Sequence, residues 1–141
     1  MPHIHLEYSD NIENLEVKPL LISLNQALIQ GGYAQAGLDI KSRAICQTDY
    51  VIGDDEQNQA YMHLKLSLLT GRSAELRKEI AEKLLEVLCE KAPKQSNVTV
   101  QFCVEVLEMQ RDIYAKKNCK FKLKFKGKTY RWFCLFSDIY K

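Results

Sequence analysis

The fold is decided by residues 60–109, which read AYMHLKLSLLTGRSAELRKEIAEKLLEVLCEKAPKQSNVTVQFCVEVLEM. Apolar and polar residues alternate over 60–69, a period that is typical of a half-buried strand. Leucine and isoleucine then recur at helical spacing after Ser73, which suits the N-cap of a helix. Alternation returns over 98–109. The stretch therefore predicts a strand, a helix and a second strand, and the connection is long enough for the two strands to pair in parallel.

The first part of the chain has the same order of elements. Residues 3–8 alternate loosely and predict a strand. Apolar residues recur at helical spacing over 15–29, and Gly31-Gly32 ends that helix. Residues 40–48 predict the strand that completes the unit. We therefore expect two consecutive β-α-β units, alike in architecture and not in residues.

Two such units predict an α/β (α+β) protein with one sheet and two helices on one of its faces. The ferredoxin-like sandwich and the tautomerase fold share this order of elements, and periodicity does not distinguish them. A length of 141 residues suits one compact domain. We expect residues 1–112 to form this domain, followed by a C-terminal β-prone extension over 113–141 that is not an independent domain.

The composition excludes several classes of protein. With 46% hydrophobic and 27% charged residues, the chain resembles neither a disordered nor a collagen-like protein. No apolar run approaches the roughly 20 residues needed to cross a bilayer. The N-terminus has no basic region followed by a long apolar stretch, so we expect no secretory signal and a cytoplasmic location.

The cysteines and histidines indicate no metal centre. The five cysteines are widely spaced and form no Cys-x-x-Cys, which argues against a disulfide framework or a zinc site. We expect them to be buried thiols. His3 and His5 share a strand face and could supply two metal ligands, but no third ligand stands at a convincing spacing. We interpret them as surface or interface histidines.

Pro2 is the residue that is most informative about chemistry. Proline after the initiator methionine allows methionine aminopeptidase to remove Met1, and the chain then begins with a secondary amine. Burial or cationic neighbours would lower the pKa of that amine toward the operating pH, where a general base works best. A strand that starts directly after Pro2 would hold the amine at an end of the sheet. Taken alone, Pro2 could also be only a permissive second residue.

Four short stretches together resemble one known family. They are MPHIHLEYSDNI at 1–12, IKSR at 40–43, YMHL at 61–64 and GRS at 71–73. In this combination the sequence is similar to the 5-carboxymethyl-2-hydroxymuconate Δ-isomerase family of the tautomerase superfamily, over about residues 1–112. The resemblance implies the tautomerase fold, a homotrimer, a free N-terminal proline as general acid–base, and no cofactor.

The resemblance also implies a reaction and a set of site residues. A small unsaturated 2-hydroxy dicarboxylate would be converted to its 2-oxo isomer, with Pro2 taking the hydroxyl proton and returning a proton to carbon. The basic positions of the family fall on Lys41 and Arg72, with Arg43 close by, and these would bind the anionic substrate. Arginine suits a carboxylate because its planar fork donates two parallel hydrogen bonds. Lys41 stands where we expect arginine, which leaves the exact substrate open.

The C-terminal extension differs from the rest of the chain in charge. Residues 1–114 carry 11 Lys/Arg and 17 Asp/Glu, whereas residues 115–141 carry nine Lys/Arg and one acid. Lysines alternate with apolar residues over 120–126, and 130–136 is a second β-prone run, so a hairpin is predicted. Three interpretations stay open: a hairpin packed at a trimer interface, a surface for an anionic partner, and a poorly ordered extension.

The sequence thus predicts a cofactor-independent isomerase of small unsaturated acids. Two alternatives remain, a tautomerase-fold protein with a different small-acid substrate and a nucleic-acid-binding module that uses the basic extension. The acidic excess of residues 1–114 and the lack of an aromatic RNA-binding strand motif make nucleic acid an unfavoured partner. No membrane partner is expected.

Overall fold

A computed structural model of the chain describes residues 1–34, 37–119, 122–125 and 128–131. The strands and helices of these residues, in chain order, are β1 (His3–Ser9), α1 (Val17–Gln30), β2 (Lys41–Gln47), β3 (Gln59–Leu69), α2 (Ala74–Lys91), β4 (Thr99–Met109), β5 (Lys122–Phe125) and β6 (Lys128–Arg131). Short 3-10 turns at Gly37–Asp39 and Arg111–Ile113 precede β2 and follow β4. The two predicted β-α-β units are confirmed.

The first four strands form one mixed sheet in the order β2-β1-β3-β4. Within each unit the strands pair in parallel, and the central pair β1–β3 is antiparallel. His3 lies opposite both Lys41 and Ser67, and Leu69 lies opposite Met109. The starts of β1 and β2 and the ends of β3 and β4 therefore meet at one edge of the sheet. Pro2 lies there, and we call this edge the Pro2 edge.

The hydrophobic core lies between the sheet and the two helices. Even-numbered residues of β1 and β3 point into it, because alternate side chains of a strand face opposite sides. The most deeply buried core side chains are Ile4, Leu6, Leu24, Leu28, Met62, Leu64, Leu66, Leu68, Ile80, Leu84 and Leu88. Both helices cover the same face, as expected for this α+β class.

The ends of the helices follow the sequence signals. The hydroxyl of Ser73 accepts a hydrogen bond from the backbone N–H of Leu76 at 3.2 Å, so Ser73 is the N-cap of α2. Gly31 ends α1, and Gly32 has φ +71°, a conformation that glycine adopts without strain. Neither helix in the described ranges combines the length and apolar character that crossing a bilayer requires. The cytoplasmic location stays a prediction.

The prediction of buried thiols is wrong for the cysteines that the structure describes. Cys46, Cys89, Cys103 and Cys119 are all exposed, and Cys134 lies outside the described residues. The reason is periodicity, because Cys103 stands between two residues of β4 that pack on the core. Cys89 likewise follows the buried Leu88 on α2 and falls off its buried stripe.

A second, two-stranded sheet lies in the C-terminal segment. β5 and β6 pair antiparallel, with Lys122 opposite Arg131 and Phe125 opposite Lys128. Residues 120–121, 126–127 and 132–141 lie outside the described residues, and most of the second predicted run falls among them. The division of the chain at residue 112 stays a prediction.

Candidate active site

A cavity of about 360 Å³ opens at the Pro2 edge of the sheet. Pro2 and Arg72 both line it, so the structure brings together two of the four predicted site residues. Its other lining residues include Met1, Tyr33, Asp39 and Arg111. A larger groove of about 470 Å³ lies between the helices, and none of the predicted site residues lines it. The Pro2 cavity is therefore the candidate active site.

Pro2 is buried and lines this cavity. Its carbonyl oxygen accepts a hydrogen bond from the backbone N–H of Lys41 at 3.0 Å, and β1 begins at the next residue. Pairing with β2 and β3 then continues from His3 onward. The backbone of Pro2 is thus held by the sheet, which fixes the position of its nitrogen.

Arg72 lies in the turn between β3 and α2, where its guanidinium is oriented by two backbone carbonyls. Its Nη1 donates to the carbonyl of Leu69 at 3.1 Å and its Nη2 to the carbonyl of Tyr33 at 3.3 Å. Gly71, with φ +116°, allows the chain to leave β3 in this direction. No carboxylate within the described residues pairs with Arg72. Its charge is therefore available to an anion in the cavity.

The N-terminal amine at this cavity has a lowered pKa. Burial is the largest cause, because desolvation disfavours the charged ammonium form. Asp39 acts in the opposite direction and raises the pKa, while Arg72 and Arg111 lower it further. In this chain the amine belongs to Met1. If Met1 is removed, the terminal amine is that of Pro2. Pro2 is more deeply buried than Met1 and lies among the same charged groups.

Among the described residues that line the cavity, Asp39 is the acid, and it is bound by a lysine that follows β4. Lys116 donates to the carboxylate of Asp39 at 2.8 Å, and this contact holds the pKa of Asp39 below its usual value. The hydroxyl of Tyr114 lies 3.2 Å from Nε2 of His3. It also lies 3.7 Å from the sulfur of Met1. Three contacts of Tyr114 and Lys116 therefore tie residues 111–116 to the Pro2 edge.

Lys41 and Arg43, the other two predicted site residues, do not line the cavity. The ammonium of Lys41 donates to the carbonyl of Leu38 at 2.6 Å. Arg43 lies further along β2, opposite His5 of β1. After burial, the charge of Arg43 is the strongest influence that lowers the pKa of His3. The structure thus places both cations beside the histidines of β1, and their substrate-binding roles stay predictions.

Sequence reasoning missed Arg111, Asp39 and Lys116. A signal for Arg111 is present in the sequence, because it follows β4 as closely as Arg72 follows β3. The ends of parallel neighbouring strands lie at one edge of a sheet, so the two arginines could have been expected together. Asp39 and Lys116 are 77 residues apart, and no local pattern joins them. Within the described ranges, no three His, Cys, Asp or Glu side chains could hold a metal ion.

The mixed four-stranded sheet with two helices on one face matches the tautomerase fold. The model of the 5-carboxymethyl-2-hydroxymuconate isomerase family matches residues 2–122, and the chain belongs to this family. It is 33% identical over 90 residues to the 5-carboxymethyl-2-hydroxymuconate Delta-isomerase of Escherichia coli. The matched residues cover 62% of this chain and 70% of that protein. The family match continues past residue 112.

Solved structures agree with this assignment. A 5-carboxymethyl-2-hydroxymuconate isomerase from Deinococcus radiodurans R1 is 31% identical, with a TM-score of 0.75 over 84% of this chain and 90% of that one. A fused 4-OT described as a wild type symmetric trimer is 16% identical, with a TM-score of 0.58 over 75% of this chain and 85% of that one. At that identity the second likeness shows the fold alone.

Proposed function

We propose that the chain catalyses the keto–enol tautomerisation of a small unsaturated 2-hydroxy acid that carries two or more carboxylates, of the 5-carboxymethyl-2-hydroxymuconate type. Pro2 is the general acid–base, and Arg72 binds a carboxylate of the substrate. The observation that carries the proposal is the shared cavity of Pro2 and Arg72 at one edge of the sheet. The family to which the chain belongs and the names of its relatives support the substrate class.

The proposed reaction moves one proton and needs no net change of atoms. With Met1 removed, the secondary amine of Pro2 takes the proton from the 2-hydroxyl of the dienol. The oxygen electrons form the 2-oxo group, the double bonds shift along the conjugated chain, and the prolinium returns a proton to carbon. Burial and the nearby guanidiniums favour the neutral amine, which is the form able to accept the first proton.

Arg72 is suited to hold the substrate while this transfer occurs. Two of its donors are fixed on backbone carbonyls, so the side chain is already oriented before an anion binds. A guanidinium that is oriented in advance loses little freedom when it binds a carboxylate. The conjugated chain of the substrate would then extend from Arg72 toward Pro2.

We also propose that the chain works as a homotrimer. The helices cover one face of the sheet, and the opposite face carries His5, whose Nε2 is buried without a hydrogen-bond partner among the described residues. Burial of such a nitrogen is costly, and a neighbouring subunit could satisfy it. A fused 4-OT of the same fold is described as a symmetric trimer, which supports this proposal. Analytical ultracentrifugation should give three times the chain mass of 16.3 kDa.

The catalytic proposal is tested by two matched changes at the N-terminus. Ketonisation of 5-carboxymethyl-2-hydroxymuconate is followed by ultraviolet absorbance, with the intact mass of each protein recorded. Pro2→Ala keeps a free amine but replaces the rigid secondary amine with a less basic primary amine that can rotate, and we expect kcat/KM to fall by about 100-fold or more. A lysine inserted between Met1 and Pro2 prevents removal of Met1 and makes the nitrogen of Pro2 an amide. That protein should lose activity to the same extent or further.

The two variants separate the amine from the side chain. If the insertion variant keeps full activity with Met1 present, the proline mechanism is wrong, because an amide nitrogen cannot act as the base. If wild-type protein that lacks Met1 ketonises neither this substrate nor 2-hydroxymuconate, the proposed substrate class is wrong. Circular dichroism of each variant checks that the sheet is intact.

A further inference from the structure

A second arginine lines the candidate active site. Arg111 lies two residues after the end of β4 and lines the same cavity as Pro2 and Arg72. We infer that Arg111 binds a second carboxylate of the substrate, so that the site selects acids with a carboxylate at each end of the conjugated chain. The inference rests on the proposed function and adds a specificity-determining residue to it.

The register of the sheet brings the two arginines together. Leu69 and Met109 are partners at the ends of β3 and β4, and the backbone N–H of Thr70 donates to the carbonyl of Met109 at 3.0 Å. Arg72 follows the end of one strand and Arg111 follows the end of the other. Neighbouring strands are about 4.8 Å apart, so the two side chains leave the sheet from adjacent points.

Arg111 is available to a ligand. Within the described residues its side chain makes no ion pair and no hydrogen bond, whereas Arg72 is bound only to backbone carbonyls. The acid of the cavity, Asp39, is already bound by Lys116. The cavity therefore holds two guanidiniums without carboxylate partners, and a ligand with two separate carboxylates would match them.

The segment that carries Arg111 is held in place. Lys116 ties it to Asp39 at 2.8 Å and Tyr114 ties it to His3 at 3.2 Å. The rings of Tyr114 and His3 also pack edge to face, with centroids 6.1 Å apart. After burial and nearer charges, Arg111 also contributes to the lowered pKa of the Met1 amine at this cavity. These contacts hold the segment that carries the exposed Arg111 beside the cavity.

The test compares two ligands that differ by one carboxylate. trans,trans-Muconate and sorbate share a six-carbon diene, but muconate carries two carboxylates and sorbate carries one. Neither compound has a 2-hydroxyl that could be ketonised. Isothermal titration calorimetry measures their binding to full-length protein that lacks Met1. We expect Arg111→Gln to weaken muconate about tenfold and sorbate less than about twofold. Arg111→Lys keeps the charge and loses the planar fork, so its affinity for muconate should lie between those of the unchanged protein and Arg111→Gln.

A matched control removes a nearby charge that does not line the cavity. Lys117→Gln changes the net charge by the same amount in the same segment, and both ligands should bind as in the unchanged protein. The inference is overturned if Arg111→Gln weakens the two ligands equally, or weakens neither. It is also overturned if the unchanged protein binds muconate no more tightly than sorbate.

Because neither ligand reacts, binding and catalysis can fail separately. Selective loss of muconate binding in Arg111→Gln supports the second carboxylate subsite even if the ketonisation assay fails. Turnover of 5-carboxymethyl-2-hydroxymuconate with equal loss of both ligands supports the proposed function and overturns the role of Arg111. The same variant should also raise KM for 2-hydroxymuconate more than for 2-hydroxypenta-2,4-dienoate, which lacks the second carboxylate.

Discussion

Replacement of Arg72 should damage substrate binding far more than it damages the fold. A guanidinium has five N–H donors, and the structure commits two of them to the carbonyls of Leu69 and Tyr33. The remaining donors can form a charge-assisted pair with a substrate carboxylate. Such hydrogen bonds contribute about 1.5–3 kcal/mol, so Arg72→Gln should lower kcat/KM for 2-hydroxymuconate by about 10- to 150-fold.

The structural cost of the same change is smaller. The two carbonyls lose a donor at a half-buried position that water can reach, which costs about 1 kcal/mol of unfolding free energy. For a chain of 141 residues, this corresponds to a fall of about 3 °C in Tm. Activity should therefore fall under conditions where the variant is still folded, and calorimetry in the assay buffer checks this.

A neutral substrate separates electrostatic binding from a general defect of the site. The dimethyl ester of 2-hydroxymuconate has the same skeleton and no carboxylate, so its turnover should change little in Arg72→Gln. Arg77→Gln is the control, because Arg77 pairs with Glu108 at 3.1 Å and does not line the cavity. Equal losses on diacid and ester would refute a carboxylate-binding role and show that Arg72 only shapes the turn.

The remaining predictions concern proton transfer and stability. Lys116 lowers the pKa of the N-terminal amine, and it also binds the carboxylate of Asp39, which raises that pKa. Lys116→Gln should therefore raise the amine pKa by both routes, and the ascending limb of the kcat/KM–pH profile should move to higher pH. Asp39→Asn should move that limb to lower pH, and shifts in the same direction for both variants would contradict this account. Ser73→Ala removes the N-cap bond to Leu76 and should lower the unfolding free energy by about 1 kcal/mol in urea titrations, whereas Ser73→Asp should preserve it.

The architecture could be predicted because its signals are local. The alternation in β3 and the leucine stripe of α2 each reflect burial against the same core, and Ser73 marks the start of α2 by its own hydrogen bond. The start of α1 was less clear, because Leu15 fits the helical spacing and yet precedes Val17, where the helix begins. Leu15 packs against the core from outside the helix. Apolar spacing therefore reports burial more reliably than it reports the end of an element.

The site could be predicted only in part, since most of its residues meet through tertiary structure. The chemistry of an N-terminal proline singles out Pro2, the family resemblance adds Arg72, and the structure brings both to one cavity. The prediction of buried cysteines relied on the general behaviour of free thiols and ignored the faces that those residues occupy. Cys103 stands on the face of β4 that points away from the helices, which the alternation of its neighbours already indicated.

Strand register links the packing of the core to the spacing of charges at the Pro2 edge. Side chains such as Leu64 and Leu66 stay buried only when β3 pairs with β1 and β4 as observed, since a slip of one residue would turn them to the open face. The same register sets Leu69 opposite Met109, and hence the positions from which Arg72 and Arg111 reach the cavity. Insertion of one residue directly after Met109 should therefore leave the core intact and displace Arg111. We expect this variant to lose its preference for diacids over monoacids while its unfolding free energy changes little. That result would show that the register set by the hydrophobic pattern also positions the two arginines.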